Sequence, residues 1–157
     1  MVGLGNGSLE KRRPDYDGRM IDESSEFGAR VARHLREETI VWLTTVTPSG
    51  GPLPRPVGFL WDGGENVFVY SQPGARIRNI TSNPKVTLNF RGDANGGDIV
   101  ILSGRAQVDE SRPSAGQDAA WVAKYAAEWE RAAMTVESFS ERFSVPVRIR
   151  LTAVHGF

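Results

Sequence analysis

Cysteine is absent from the 157 residues, which removes disulfides, thiolate nucleophiles, iron–sulfur clusters and cysteine-ligated zinc from consideration. Histidine is nearly as scarce: His34 and His155 are the only two, and they leave little material for a metal site. No sign of charge dominates, because 19 Lys and Arg balance 19 Asp and Glu, so net charge gives no case for a nucleic-acid or anionic-membrane partner. Long apolar runs are missing too. None approaches the roughly 18 to 20 residues that span a bilayer, and the N-terminus has no apolar core of a signal peptide. These absences predict a cytoplasmic protein with neither membrane nor nucleic-acid partner and no metal. With 39% hydrophobic residues, a chain of this length builds one domain around one core.

Catalytic signatures are also lacking. There is no Ser-His-Asp motif, no HExxH and no P-loop, and neither histidine has a catalytic neighbour in sequence. No catalytic side chain is assigned. That pattern suits an enzyme whose cofactor carries the hard step, and it suits a non-enzymatic binding module equally well. The Gly3, Gly5 and Gly7 spacing imitates a nucleotide loop, but no strand precedes it. Residues 1–20 read as a disordered leader, with Met20 as an alternative start and residues 21–157 as the folded domain.

From Ser24 the pattern changes. Ser24 or Ser25 can cap a helix whose Phe27, Val31 and Leu35 recur at i, i+4 and i+8. Residues 39–47 (TIVWLTTVT) are β-branched and apolar on both faces, as in a buried strand. After the turn residues 48–52, strands are predicted over Leu53 to Trp61 and Asn66 to Ser71, joined by the tight turn Asp62-Gly63-Gly64-Glu65. A short helix around Ala75 to Thr81 leads to strands over Lys85 to Arg91 and Asp98 to Val108. Helices over Pro113 to Arg131 and Thr135 to Phe143 precede a closing strand over Val145 to Val154, with Val147, Ile149 and Leu151 inward. Five strands in meander order, a last strand returning after helices and no βαβ alternation predict a mostly β fold with flanking helices, an antiparallel barrel rather than a Rossmann sheet.

The chemistry concentrates between Leu53 and Asn79. Parity along RPVGFLW sets Arg55, Val57, Phe59 and Trp61 on one face and Pro54, Pro56, Gly58 and Leu60 on the other. Pro54 and Pro56 delete amide donors along one edge, which therefore faces solvent or borders a ligand; Gly58 lets a flat ring approach the backbone. Downstream, Tyr70-Ser71-Gln72-Pro73-Gly74 runs from a strand into a helix start, where free amides and the positive dipole end favour an anion. Ser71 offers a hydroxyl, Gln72 an amide, and Arg76 a forked cation. Arg76 and Asn79 share a helix face at i, i+3, whereas Arg78 lies about 200° round from Arg76, so Arg76 is the better phosphate ligand. A solvated basic helix after a hairpin is the plainer alternative.

These residues resemble the pyridoxamine 5'-phosphate oxidase-like split β-barrel superfamily (FMN-binding type). Arg55-Pro56-Val57 resembles its Arg-x-Val cofactor strand, and Tyr70-Ser71 with Ala75-Arg76 resembles its Tyr-Thr and Ser-Arg-Lys phosphate elements. A closer resemblance is to an actinobacterial branch of F420-dependent enzymes, through EFGAR (26–30), VWLTTV (41–46), FLWDG (59–63), YSQP (70–73), RNI (78–80), GGDIV (96–100), SVPVR (144–148) and the Gly156-Phe157 ending. The resemblance implies a homodimer with a cofactor cleft at each side of the interface, the phosphate near Ser71 and Arg76, and the ring along Val57, Gly58 and Phe59. The cofactor-binding set is then Arg55, Pro56, Val57, Gly58, Phe59, Tyr70, Ser71, Gln72, Arg76, Arg78 and Asn79. The implied activity is hydride transfer from reduced coenzyme F420, a deazaflavin, to an unsaturated small-molecule acceptor. The alternatives are an FMN-dependent oxidoreductase of the same fold, or a non-catalytic carrier of a flavin, deazaflavin or haem-type ligand. Ile77 replaces the oxidase Lys, Ile99 stands for its Gln, and Arg150-Leu151 lacks the following Pro, which argues against vitamin B6 phosphate oxidation. Gly58 also stands where this branch has Trp.

Four further features have plainer readings. Trp121, Tyr125 and Trp129 form an i, i+4, i+8 stripe that reads as core or dimer interface ahead of a substrate lid. Arg148 and Arg150 share a face of the last strand, facing either solvent or an anionic ligand. Asp93, Asn95 and Asp98 imitate a calcium loop without its bidentate Glu, and so read as a turn. His34 is expected on the helix surface, and His155 near the barrel mouth.

Overall fold

The computed structural model describes residues 20–157. The leader expected over residues 1–20 falls outside it except for Met20, which is buried with Ile21 in the main core. Helix α1, Glu26–Glu37, starts where Ser25 Oγ accepts the Gly28 amide at 3.0 Å, and it buries Val31, Ala32 and Leu35. Strands β1 (Val41–Val46), β2 (Pro52–Val57), β3 (Leu60–Trp61) and β4 (Asn66–Ser71) follow. Then come α2 (Ala75–Ser82), β5 (Lys85–Asn89), β6 (Val100–Val108), a 3-10 turn (Ala115–Gln117), α3 (Ala119–Arg131), α4 (Val136–Arg142) and β7 (Val145–Gly156).

The seven strands form one curled, entirely antiparallel sheet in the order β2-β1-β5-β6-β7-β4-β3. Period-2 alternation fills its inside with Val41 and Leu43, Val86 and Leu88, Val100 and Leu102, Val147 and Ile149. Each such side chain, fully buried, stabilises by about 1.5–3 kcal/mol before entropy is charged. A register shift opposite Ser103 and Gly104 inserts Thr152 into β7, so the inward parity passes from Leu151 to Val154.

Two expectations change here. The single strand over Leu53 to Trp61 is cut after Val57, and its halves β2 and β3 lie at opposite edges of the sheet. Gly58 and Phe59 carry the chain across the gap between those edges, which is where the barrel is split. The meander is also broken. β4 pairs with β7 and β1 with β5, because curling brings sequence-distant strands together around one core. Pro54 and Pro56 sit in edge strand β2, where a missing amide donor costs no ladder bond on the free side.

The helix expected over Pro113 to Arg131 begins only at Ala119, because Asp118 caps it by accepting the Trp121 amide. α3 and α4 build a second core of Trp121, Tyr125 and Trp129 around Tyr70, separate from the barrel interior. No helix among the described residues is long and apolar enough to cross a membrane.

Candidate functional site

β4 delivers Ser71 to the turn Gln72-Pro73-Gly74, and Gly74, at φ 135°, becomes the N-cap of α2 with no side-chain cap bond. The first helical bond runs from the Arg78 amide to Gly74 O at 3.1 Å. The amides ahead of it therefore have no helical acceptor, and the positive end of the dipole faces the turn. Arg76 Nη1 donates to Ser71 Oγ at 3.0 Å, and Ser71 Oγ donates to Gln72 O at 2.9 Å. Burial first, and the nearby Arg55 cation second, hold the Arg76 guanidinium below the usual arginine pKa. No ion pair to Arg55 or Arg76 forms among the described residues. Two cations, one of them half-buried, thus converge on a cavity of about 400 Å³ lined by Thr45, Arg55, Ser71, Gln72 and Arg76. Such a desolvated, unpaired guanidinium is costly unless an anion completes it.

A second cavity of about 400 Å³ shares Pro56, Arg76 and Phe143 with the first. Aromatic residues make up much of the rest of its wall, Tyr70, Trp121, Tyr125, Trp129 and Phe139, with Glu128 beside them. α3 is held over this chamber by two hydroxyls. Tyr70 Oη donates toward Pro113 O at 2.7 Å and Asp118 Oδ2 at 3.0 Å. Burial, and then the Asp118 carboxylate, push that phenol up to about 12. Asp118 is also paired with Arg112 Nη2 at 2.6 Å, whose guanidinium lies 3.6 Å from the Phe68 ring centroid. Tyr125 Oη accepts the Phe59 amide at 2.6 Å and donates toward the carbonyls of Thr39 and Phe59, each at 2.8 Å. Burial raises the Tyr125 phenol as well. The Trp121 indole N–H, by contrast, is buried without an acceptor.

The structure brings together Arg55, Pro56, Ser71, Gln72 and Arg76 in the first cavity, and Pro56, Val57, Gly58, Tyr70 and Arg76 in the chamber. Arg78 is exposed and lines neither, as the helical-face argument requires. Asn79 is buried and donates to Thr45 Oγ1 at 3.0 Å, so it supports the cavity wall from behind. Phe59 is fully buried in the barrel core, in edge-to-face contact with Phe90, and offers no surface to a ring. At Gly58, where a cofactor ring is expected, the chain's own Tyr125 packs close: a Cβ there would lie 3.2 Å from Tyr125 Cζ and Oη. Tyr70 contributes its ring to the chamber, while its hydroxyl anchors α3.

Trp121, Tyr125, Trp129, Phe139 and Phe143 were not among the expected site residues. The spacing of Trp121, Tyr125 and Trp129 reports a buried face, and burial is what the structure shows for these three; that this face, with the half-buried Phe139 and Phe143, borders a cavity depends on how α3 and α4 dock. His34 is a plain correction. It is buried rather than exposed, bridging Glu38 Oε1 at 2.6 Å and Asp98 Oδ2 at 2.9 Å and stacking on Phe90. Asp93 closes the Gly-rich turn by accepting the amides of Asn95 and Gly97, each at 2.8 Å. Arg148 and Arg150 pair with β4 outside both cavities, and Arg150 lies 3.4 Å from Glu65. Among the described residues no group of three His, Asp or Glu gathers as a metal site.

A split antiparallel barrel whose open edge borders a cavity with two cations, joined to an aromatic chamber, has the form of a ligand-binding barrel. The chain belongs to the pyridoxamine 5'-phosphate oxidase family (PNPOx_N), which matches residues 27–152. Solved structures agree on the fold. An F420 reductase is 25% identical, with 78% of this chain and 94% of that chain covered and a TM-score of 0.52. A FAD-binding protein from Mesorhizobium loti is 16% identical over 94% of this chain and 96% of that chain, with a TM-score of 0.61. The haem storage protein HutZ from Vibrio cholerae is 20% identical over 82% and 90%, with a TM-score of 0.53. No curated protein matches the sequence. Family and fold place the chain among oxidoreductase-like or ligand-binding split barrels.

Proposed function

We propose that this protein is an F420H2-dependent reductase that binds the deazaflavin through Arg76, Ser71, Arg55 and Gln72 and presents it to an unsaturated small-molecule acceptor. The observation that carries this reading is Arg76: half-buried, beside a second cation, without a carboxylate, at an uncapped helix start. An anionic phosphate is the group such a donor set fits. When bound, the cofactor supplies a hydride; this chain's residues bind, orient and exclude water. Arg76 and the α2 amides hold the charged end, Thr45 is braced by Asn79, and the aromatic wall of α3 and α4 keeps the neighbouring space dry. The two phenols are committed to backbone and carboxylate partners, so neither is free as an acid or base.

The reading includes a homodimer in which a second copy closes the cofactor cleft. Exposed Ile40, which lines the chamber mouth, and exposed Trp42 support it. The FMN-dependent oxidoreductase and the non-catalytic carrier are the competing readings, and the FAD-binding and haem-storage neighbours keep both in play. Parallel fluorescence titrations with F420 and FMN, with a visible spectrum of the purified protein, separate them. F420 is expected to bind in preference to FMN and an acceptor panel to show turnover. Yellow protein with stoichiometric FMN overturns the deazaflavin assignment, and F420 binding with no turnover on any acceptor favours the carrier.

A further inference from the structure

The aromatic chamber has a charge polarity of its own. Two charged side chains line it, Arg76 and Glu128. Arg76 is shared with the anion cavity and spends Nη1 on Ser71 there, so an anion bound in that cavity neutralises it. Glu128 belongs to the chamber alone. One of its oxygens, Oε1, accepts from Arg131 Nη2 at 2.8 Å on the exposed side, where Arg131 is 73% accessible and the pair is screened by water. Its field nevertheless reaches inward: it contributes to raising the Tyr125 phenol and opposes the lowering of Lys124, whose Nζ lies 3.7 Å from the Phe59 ring centroid.

The remaining polar groups of the chamber do not offset this. The Tyr70 and Tyr125 hydroxyls are already bonded within the chain. Trp121 and Trp129 are themselves buried, so the aromatic surfaces left to a ligand are chiefly the half-buried Phe139 and Phe143, whose π faces carry negative quadrupole potential. Aromatic faces plus one carboxylate, in a largely apolar space, attract a planar cation and repel a planar anion.

We propose that the aromatic chamber selects a planar aromatic ligand carrying a positive charge, with Glu128 as its specificity-determining residue. The inference rests on the proposed function to the extent that an anion occupies the neighbouring cavity and the chamber ligand is the acceptor. It assigns the acceptor's class, a cationic heteroaromatic.

The test uses the full chain in saturating inorganic phosphate and three fluorescent probes. These are cationic thioflavin T, anionic anilinonaphthalene sulfonate, and neutral phenylnaphthylamine, which shares the anion's scaffold without its sulfonate. Thioflavin T is expected to bind about tenfold tighter than the sulfonate, and the neutral probe to fall between them. Glu128→Gln should cost thioflavin T about fivefold while leaving the neutral probe within about twofold, and Glu128→Lys should invert the order of the charged pair. Tighter binding of the sulfonate, or equal loss of the neutral and cationic probes in Glu128→Gln, overturns the proposal. A separate titration with F420 and FMN keeps the two readings apart. Cation preference in a protein that binds neither cofactor supports the chamber and removes the reductase, whereas cofactor binding without cation preference removes the chamber assignment alone.

Discussion

Arg76 and Arg78 are two residues apart in one helix, yet their environments differ completely. Arg76 is half-buried against Ser71 in a cavity without a carboxylate, and Arg78 points to solvent. Charge-assisted bonds from a partly desolvated guanidinium to phosphate are worth about 1.5–3 kcal/mol, whereas an exposed cation near the same anion is screened to a fraction of that. Arg76→Ala is therefore expected to weaken binding of the phosphate-bearing cofactor by about 10- to 100-fold, and Arg78→Ala by less than about twofold. Titration of both variants with F420 and FMN checks this. Equal losses would mean that the helix presents both side chains to the ligand and that the face argument is wrong. Arg76→Lys should recover part of the loss, because an ammonium keeps the charge but not the planar fork.

At the scale of elements, the decisive joint is the Gly58-Phe59 crossing between β2 and β3, clamped by Tyr125 from α3. Tyr125→Phe keeps the ring that packs on Gly58 but leaves the Phe59 amide, in a fully buried residue, without its acceptor. That should cost about 1–3 kcal/mol of stability and lower Tm by several degrees, measured by calorimetry. An unchanged Tm would show that the hydroxyl is not the clamp. This joint also marks the limit of what the sequence discloses. β1, β4, α1 and α2 were legible because local rules suffice for them: alternation, a Ser cap, a Pro-Gly exit. The strand over Leu53 to Trp61 was misread because alternation continues through Gly58 and Phe59 on both sides of the break. What breaks it is closure of the sheet and a hydroxyl 66 residues away. The meeting of Arg76 with Ser71 was legible for the same local reason, being built within six residues of chain from Ser71 to Arg76. The aromatic wall was not, since its rings lie far along the chain and reach the site only by docking.

For the whole molecule, titratable groups outside the cavity at Arg76 set how stability varies with pH. Asp98 is held below the ordinary carboxylate range, first by its bond to His34 and then, against a burial penalty, by the His34, Arg30 and Arg33 charges. Its contribution is present above the ordinary value of 3.8 and is lost as pH falls through the depressed folded value. Lys124 acts on the alkaline side. Burial brings it down from 10.5 to about 8, so between those values the unfolded chain holds a proton that the folded chain has released. Stability therefore rises with pH through this window, and the cost of burying the ammonium is fully present below about 8. Tyr70 and Tyr125 act in the opposite sense: both phenols are raised above 10, so their contribution is complete below 10 and declines as pH rises beyond it. The expected profile climbs from pH 8 toward 10 and then turns down. Urea denaturation of the full chain at several pH values measures it, with Lys124→Met as the control. Because Lys124 is only partly shielded from solvent, its part of the rise should be on the order of 1 kcal/mol, and it should vanish in Lys124→Met while the downturn above pH 10 remains. A rise that persists in Lys124→Met would assign the effect to another group and show that the amine is not held in the protein as its contact with Phe59 implies.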